Sequence, residues 1–184
     1  MEKLIQAAFE NLNSGNRESQ TQAYYSLLAA TDHPVEWAYE VWDGLLADLR
    51  HKDGHRRAIA AQILCNLANS DPENRMLKDF STLLNTTRDE QFVTARHALQ
   101  SLWKIGLTGK AQKQLVVDGL SARFADCANE KNCTLIRYDI LQGLKNLYDF
   151  VHDESIKQKA VTLIETEADP KYRKKYASVW KSKE

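Results

Sequence analysis

Residues 53–68, DGHRRAIAAQILCNLA, decide the fold of this 184-residue chain. An Asp-Gly pair opens the stretch as a turn, and counting from Arg57 the residues four, seven and ten places on are Ala61, Leu64 and Leu67. That spacing gathers the apolar groups on one face of a helix. The same register recurs through Thr21, Tyr24 and Leu27 from Arg17, and through Leu99, Leu102 and Ile105 from Ala95, with Arg96 one place later. It returns as Leu141, Leu144 and Leu147 from Arg137, and as Ala177 and Trp180 from Arg173. Starts at 17, 57, 95, 137 and 173 give a period of about 40 residues, the length of one helical pair in a stacked array.

Equally periodic segments lie between these second helices. The pattern predicts helices at about 2–13, 18–30, 34–50, 55–69, 72–86, 89–106, 110–128, 134–150, 154–167 and 171–181. No run alternates polar and apolar residues as a half-buried strand would. Most of the three prolines and seven glycines stand at the breaks. NSGN and KDG read as turns, while SDPEN and ADPKY place a proline in the first turn of a helix behind an aspartate cap. Links this short make successive helices antiparallel neighbours. The chain therefore reads as all-α, one helical-repeat domain with repeats at roughly 1–31, 32–70, 71–108, 109–152 and 153–184.

The segments DGHRRAIAAQILCNLA, RDEQFVTARHALQSLWKI and CTLIRYDILQGLKNLY resemble the second helices of the HEAT and armadillo repeat families, and the resemblance covers nearly the whole chain. It implies a right-handed α-α superhelix, a HEAT-like solenoid. It also implies a ladder of turn aspartates and second-helix arginines, matching Asp53 with Arg57, Asp89 with Arg96 and Asp169 with Arg173. In the fourth unit Cys133 stands where an aspartate is expected.

Charge is balanced, 25 Lys and Arg against 25 Asp and Glu, so no overall field marks the chain for nucleic acid. Residues 1–50 carry eight carboxylates against Lys3, Arg17 and Arg50, whereas the end carries Lys171, Arg173, Lys174, Lys175, Lys181 and Lys183 against Glu184. Three cysteines and a start without a charged-then-apolar leader lead us to expect a reducing, cytoplasmic setting. Apolar stretches such as AIAAQILCNLA fall short of the ~20 residues that cross a bilayer, so no membrane partner is expected.

The segment PVEWAYEVWDGLLADLR, residues 34–50, sets two tryptophans and a tyrosine among carboxylates. On a helical wheel Trp37, Tyr39, Val41, Trp42, Leu45, Leu46 and Leu49 share one wide arc, with Asp48 intruding at its edge. Trp37 and Trp42 stand about 140° apart, which predicts core anchors facing different neighbours. The competing reading is functional: Tyr39, Trp42 and Asp43 near one edge resemble the tryptophan-plus-acid groove of HEAT-like alkylpurine DNA glycosylases.

Other chemistry is sparse. His51 and His55 have the spacing of two helical metal ligands, but Asp53 and Gly54 between them read as a turn. Cys127 and Cys133 lack the C-x-x-C spacing and read as two thiols at a turn, and Cys65 reads as core. No phosphate loop, nucleophile elbow or H-E-x-x-H helix occurs, so no catalytic residue, cofactor or metal is assigned.

The regular polar feature is the arginine series. Arg56, Arg57, Arg96, Arg137 and Arg173 are the candidate binding residues, either paired within the ladder or presented to an acidic partner. The reading reached is a non-catalytic protein–protein interaction scaffold or adaptor that uses the surface of the second helices. The alternative is a nucleic-acid-binding or alkylpurine glycosylase-type repair module, and a third reading is a subunit docked in a larger assembly. Tyr172, Tyr176, Val179 and Trp180 share a face of KYRKKYASVWK, which reads as a capping helix.

Overall fold

In the computed structural model, which describes residues 2–181, every described element is helical. The α-helices are α1 (Lys3–Leu12), α2 (Arg17–Thr31), α3 (Ala38–Asp48), α4 (Gly54–Leu67), α5 (Arg75–Asn85), α6 (Phe92–Ser101), α7 (Lys110–Asp126), α8 (Cys133–Val151), α9 (Glu154–Glu165) and α10 (Pro170–Val179). Tighter 3-10 turns follow four of them, at Ala68–Ser70, Thr86–Arg88, Leu102–Leu107 and Cys127–Asn129. Among the described residues no helix is long and apolar enough to cross a membrane. Lys183 and Glu184, counted in the basic end, lie outside the described residues.

The starts follow local chemistry. Asn16, Asp53, Asp153 and Asp169 each accept a backbone amide of the first turn that follows, and Pro170 occupies the first position of α10 as expected. Two starts differ from the sequence pattern. Helix α5 begins at Arg75 rather than near Pro72, because Asp71 reaches past the proline turn to accept the Arg75 and Met76 amides, both at 2.8 Å. Asn74 makes that reach possible in the left-handed conformation, with φ at 56°. Helix α3 begins at Ala38, and ahead of it the Val35 amide donates to the Ser70 hydroxyl at 2.9 Å.

The chain divides into two compact units, Met1–His97 and Ala98–Glu184, with the division inside α6. In the first, Leu27, Trp42, Ile63, Leu64, Leu67, Met76 and Leu83 are sealed from solvent. In the second, Leu102, Val116, Leu120, Phe124, Leu144, Leu147 and Tyr176 are. Helix α10 packs on α8 and α9, with Tyr176 buried and its hydroxyl donating to the Thr134 carbonyl at 3.0 Å. The apolar face predicted for this last helix is thus its inner face.

Polar side chains bridge segments about 40 residues apart within each unit. In the first unit Tyr24 donates to Gln62, 38 residues on, and Thr94 donates to the Gly54 carbonyl, 40 residues back. In the second, Lys113 donates to Asp153 at a separation of 40 and Tyr176 to Thr134 at 42. These separations, 38 to 42 residues, are close to the sequence period of about 40.

Candidate functional site

The arginines are placed by their helices. Arg57, in the first turn of α4, donates from Nε and Nη2 to the two carboxylate oxygens of Asp89 at 2.6 and 2.7 Å. Its third arm, Nη1, donates to the carbonyls of His51 and Lys52 at 2.7 and 3.1 Å. Burial of both side chains strengthens this fork, and the bond to Asp89 raises the guanidinium pKa further against desolvation. The partner is therefore the aspartate of the next turn: Asp53 uses its side chain to cap the His55 amide.

The second unit repeats the device with a glutamate. Arg137 Nη1 donates to Glu167 at 2.7 Å, and its Nε donates to the Phe124 carbonyl at 3.2 Å. Glu167 also organises the last turn, accepting the Asp169 amide through its carboxylate while its carbonyl takes both Nε and Nη2 of Arg173. Asp169 caps Lys171 rather than meeting Arg173. Of the arginine series, Arg57, Arg137 and Arg173 are thus held by turn carboxylates and carbonyls, and Arg96 lies near His97, whose pKa is lowered by burial first and then by His55 and Arg96.

The tryptophan segment resolves into structural contacts. Trp42 is sealed, and its indole Nε1 donates to Asp79 at 2.9 Å. Tyr39 packs edge-on against it and donates to Asp71 at 2.5 Å. Arg75 lies over both rings at 5.2 and 5.6 Å and bonds to Asp43. Trp37 is also buried, edge-on to Phe9, so the two tryptophans do face different neighbours.

Arg56 stands apart. It lines a surface cleft of about 650 Å³ within the first unit, bounded by α1, α3 and the start of α4. Phe9, Leu12, Val41, Leu45, Ile59 and Ala60 form the apolar part, and Asp48, His51, Asp53, His55 and Arg56 the charged and polar rim. Gly44 and Ala47 line it too, both exposed, and their small side chains leave the mouth open. Arg56 Nη2 pairs with Asp48 at 2.9 Å. Its Nε is shut off from solvent and has no hydrogen-bond partner among the described residues. A buried donor left in that state costs roughly 1–3 kcal/mol.

The histidines expected at a turn are there: His51 Nδ1 accepts the Asp53 amide at 3.1 Å, and His55 opens α4. Among the described residues no three histidines, cysteines or carboxylates gather as metal ligands. Sequence reasoning missed the cleft, although Gly44 and Ala47, three apart on the polar side of the wheel, mark where side chains are lacking. No protein-family model matches the chain, and no curated protein matches it in sequence.

Proposed function

We propose that the protein is a non-catalytic, HEAT-like recognition scaffold whose helical pairs stack within each unit in the right-handed sense, and that the cleft beside Arg56 receives another protein. The bridges between residues about one period apart support the repeat reading. One observation carries the binding reading: Arg56, its side chain 38% exposed beside Asp48, lines the charged rim of an apolar cleft. An incoming carboxylate meets the exposed part of the Arg56 guanidinium, and an apolar side chain beside it fills the space over Val41 and Ile59. The ligand is a peptide segment rather than an engulfed small molecule, because exposed Asn13, Gly44, Ala47 and His55 leave the cleft open along its rim.

This moves the expected binding surface from the second helices alone to a cleft shared by α1, α3 and α4. A nucleic-acid module needs cations free to meet phosphates, and here turn carboxylates engage Arg57 and Arg137. A glycosylase-type pocket needs an open aromatic face, and here Arg75 lies over Tyr39 and Trp42.

A photo-crosslinking amino acid at His55, on the rim, tests the reading against the same group at exposed Val161 in the second unit. A discrete protein adduct from position 55 that disappears in Arg56→Glu supports the cleft. The same adducts from position 161, or adducts indifferent to Arg56→Glu, overturn it.

A further inference from the structure

We infer that Cys127 and Cys133 form a reversible dithiol–disulfide site that exchanges with low-molecular-weight disulfides. The two sulfurs stand 2.9 Å apart across the turn between α7 and α8. Bond formation needs an approach of only about 0.9 Å, since a disulfide is ~2.05 Å long.

The turn is held by groups other than sulfur. Arg123 forks onto Glu130 at 2.6 and 2.7 Å, the Glu130 amide donates to the Cys127 carbonyl, and the Cys133 amide donates to the Glu130 carbonyl. The Cys127 thiol donates to the Phe124 carbonyl at 3.3 Å, but that carbonyl also accepts Arg137 Nε. Oxidation therefore removes one donor without leaving the acceptor bare. The turn thus keeps its own hydrogen bonds whether or not the two sulfurs are joined.

The two thiols differ in access. Cys127 is fully buried and Cys133 half-buried, so an incoming disulfide meets Cys133 first. Burial, then the bond to Cys133, push the Cys127 thiol up to about 12, while Arg137 and Arg123 pull the other way. Cys127 accordingly acts as the resolving sulfur, attacking only a neighbour that is already oxidised.

The exchange balances as follows. Cys133 gives up its proton and attacks one sulfur of oxidised glutathione; a mixed disulfide forms and one glutathione thiolate leaves, taking up that proton. Cys127 then loses its proton and attacks the Cys133 sulfur, and the second glutathione leaves as its thiol. Two protein thiols are oxidised by two electrons and one glutathione disulfide is reduced by two.

The full, reduced chain is incubated folded with millimolar oxidised glutathione, blocked with an alkylating agent and digested with trypsin. Cleavage after Arg123, Lys131 and Arg137 puts the two cysteines on separate peptides, 124–131 and 132–137. The expected result is a chain lighter by two hydrogen atoms, those two peptides joined, and alkylated Cys65. Cys133→Ser then leaves Cys127 reduced, and Cys127→Ser traps one glutathione on Cys133. The wild-type map decides even where the Cys127 variant fails to fold. Glutathione retained on wild-type Cys133 without the joined peptides, or joining only after denaturation, overturns the inference.

Discussion

The guanidinium of Arg57 and the carboxylate of Asp89, 32 residues apart, meet through two parallel hydrogen bonds of 2.6 and 2.7 Å. Asp89 simultaneously accepts the Gln91 amide at the entry to α6. One carboxylate thus caps the entry to α6 and ties it to the first turn of α4. Glu167 does the same for Arg137 and the turn before α10.

Removing one member of this pair strands the other. Arg57→Ala leaves Asp89 and the His51 and Lys52 carbonyls without their donor and is expected to cost about 3–5 kcal/mol, the range for a buried ion pair broken from one side. Urea denaturation measures it. Arg57→Lys recovers only part of the loss, since an ammonium cannot span both carboxylate oxygens. A double-mutant cycle with Asp89→Ala gives a coupling energy well above that of an exposed pair, ~0.2–1 kcal/mol.

Trp42 anchors the first unit. Trp42→Ala is expected to lower stability by about 3–5 kcal/mol through the cavity it leaves. Trp42→Phe keeps most of the apolar contact but withdraws the indole donor from Asp79, for a smaller loss of about 1–2 kcal/mol. Paired urea curves for the two variants separate the packing and hydrogen-bond parts.

Two glycines respond in opposite directions to alanine. At Gly54 a Cβ would lie 1.9 Å from Gln91 Oε1 and 2.9 Å from Thr94 Oγ1. Gln91 is free to swing away, but Thr94 is fixed by its bond to the Gly54 carbonyl, so Gly54→Ala is expected to cost about 1–2 kcal/mol. Gly44 lies inside α3 with nothing within 4 Å of the added carbon, and Gly44→Ala is expected to stabilise by about 0.5–1 kcal/mol. Thermal melting of the two variants reads both signs.

Asp153 supplies a pH dependence. The bond from Lys113, then those from Ser155, lower its pKa from the ordinary carboxylate value to about 2. The folded state therefore holds this group ionised where the unfolded chain has taken up a proton. Its contribution is complete above the unfolded value, near ~4, and fades as pH falls towards 2. Lys113→Met is expected to flatten the loss of stability across that window and to leave the slope above it unchanged, as read from urea midpoints at a series of pH values.

The ten helices of the described residues and their order were legible because they carry apolar residues at three- and four-residue spacing and four of them, α2, α4, α9 and α10, start behind an Asn or Asp cap. The entry to α5 was not, because Asp71 caps across four residues only when Asn74 turns left-handed. The arginine series was readable as a series, but its partners were not: the family resemblance implied Asp53 for Arg57, whereas the carboxylate it meets, Asp89, lies 32 residues on. The cleft was hidden for a similar reason. Phe9, Val41 and Ile59 come together only through the packing of three helices, and Gly44 and Ala47 mark missing side chains on α3 without showing what the neighbouring helices place around them.

The most direct test of recognition at the Arg56 cleft is selection of a random peptide library on the immobilised full chain, followed by affinity measurements of the enriched peptides on folded wild-type protein and Arg56→Glu. The account predicts peptides that share an apolar residue next to a carboxylate and bind wild type at least about tenfold more tightly, equivalent to ~1.4 kcal/mol. Peptides that bind both proteins equally, or no enrichment at all, contradict it.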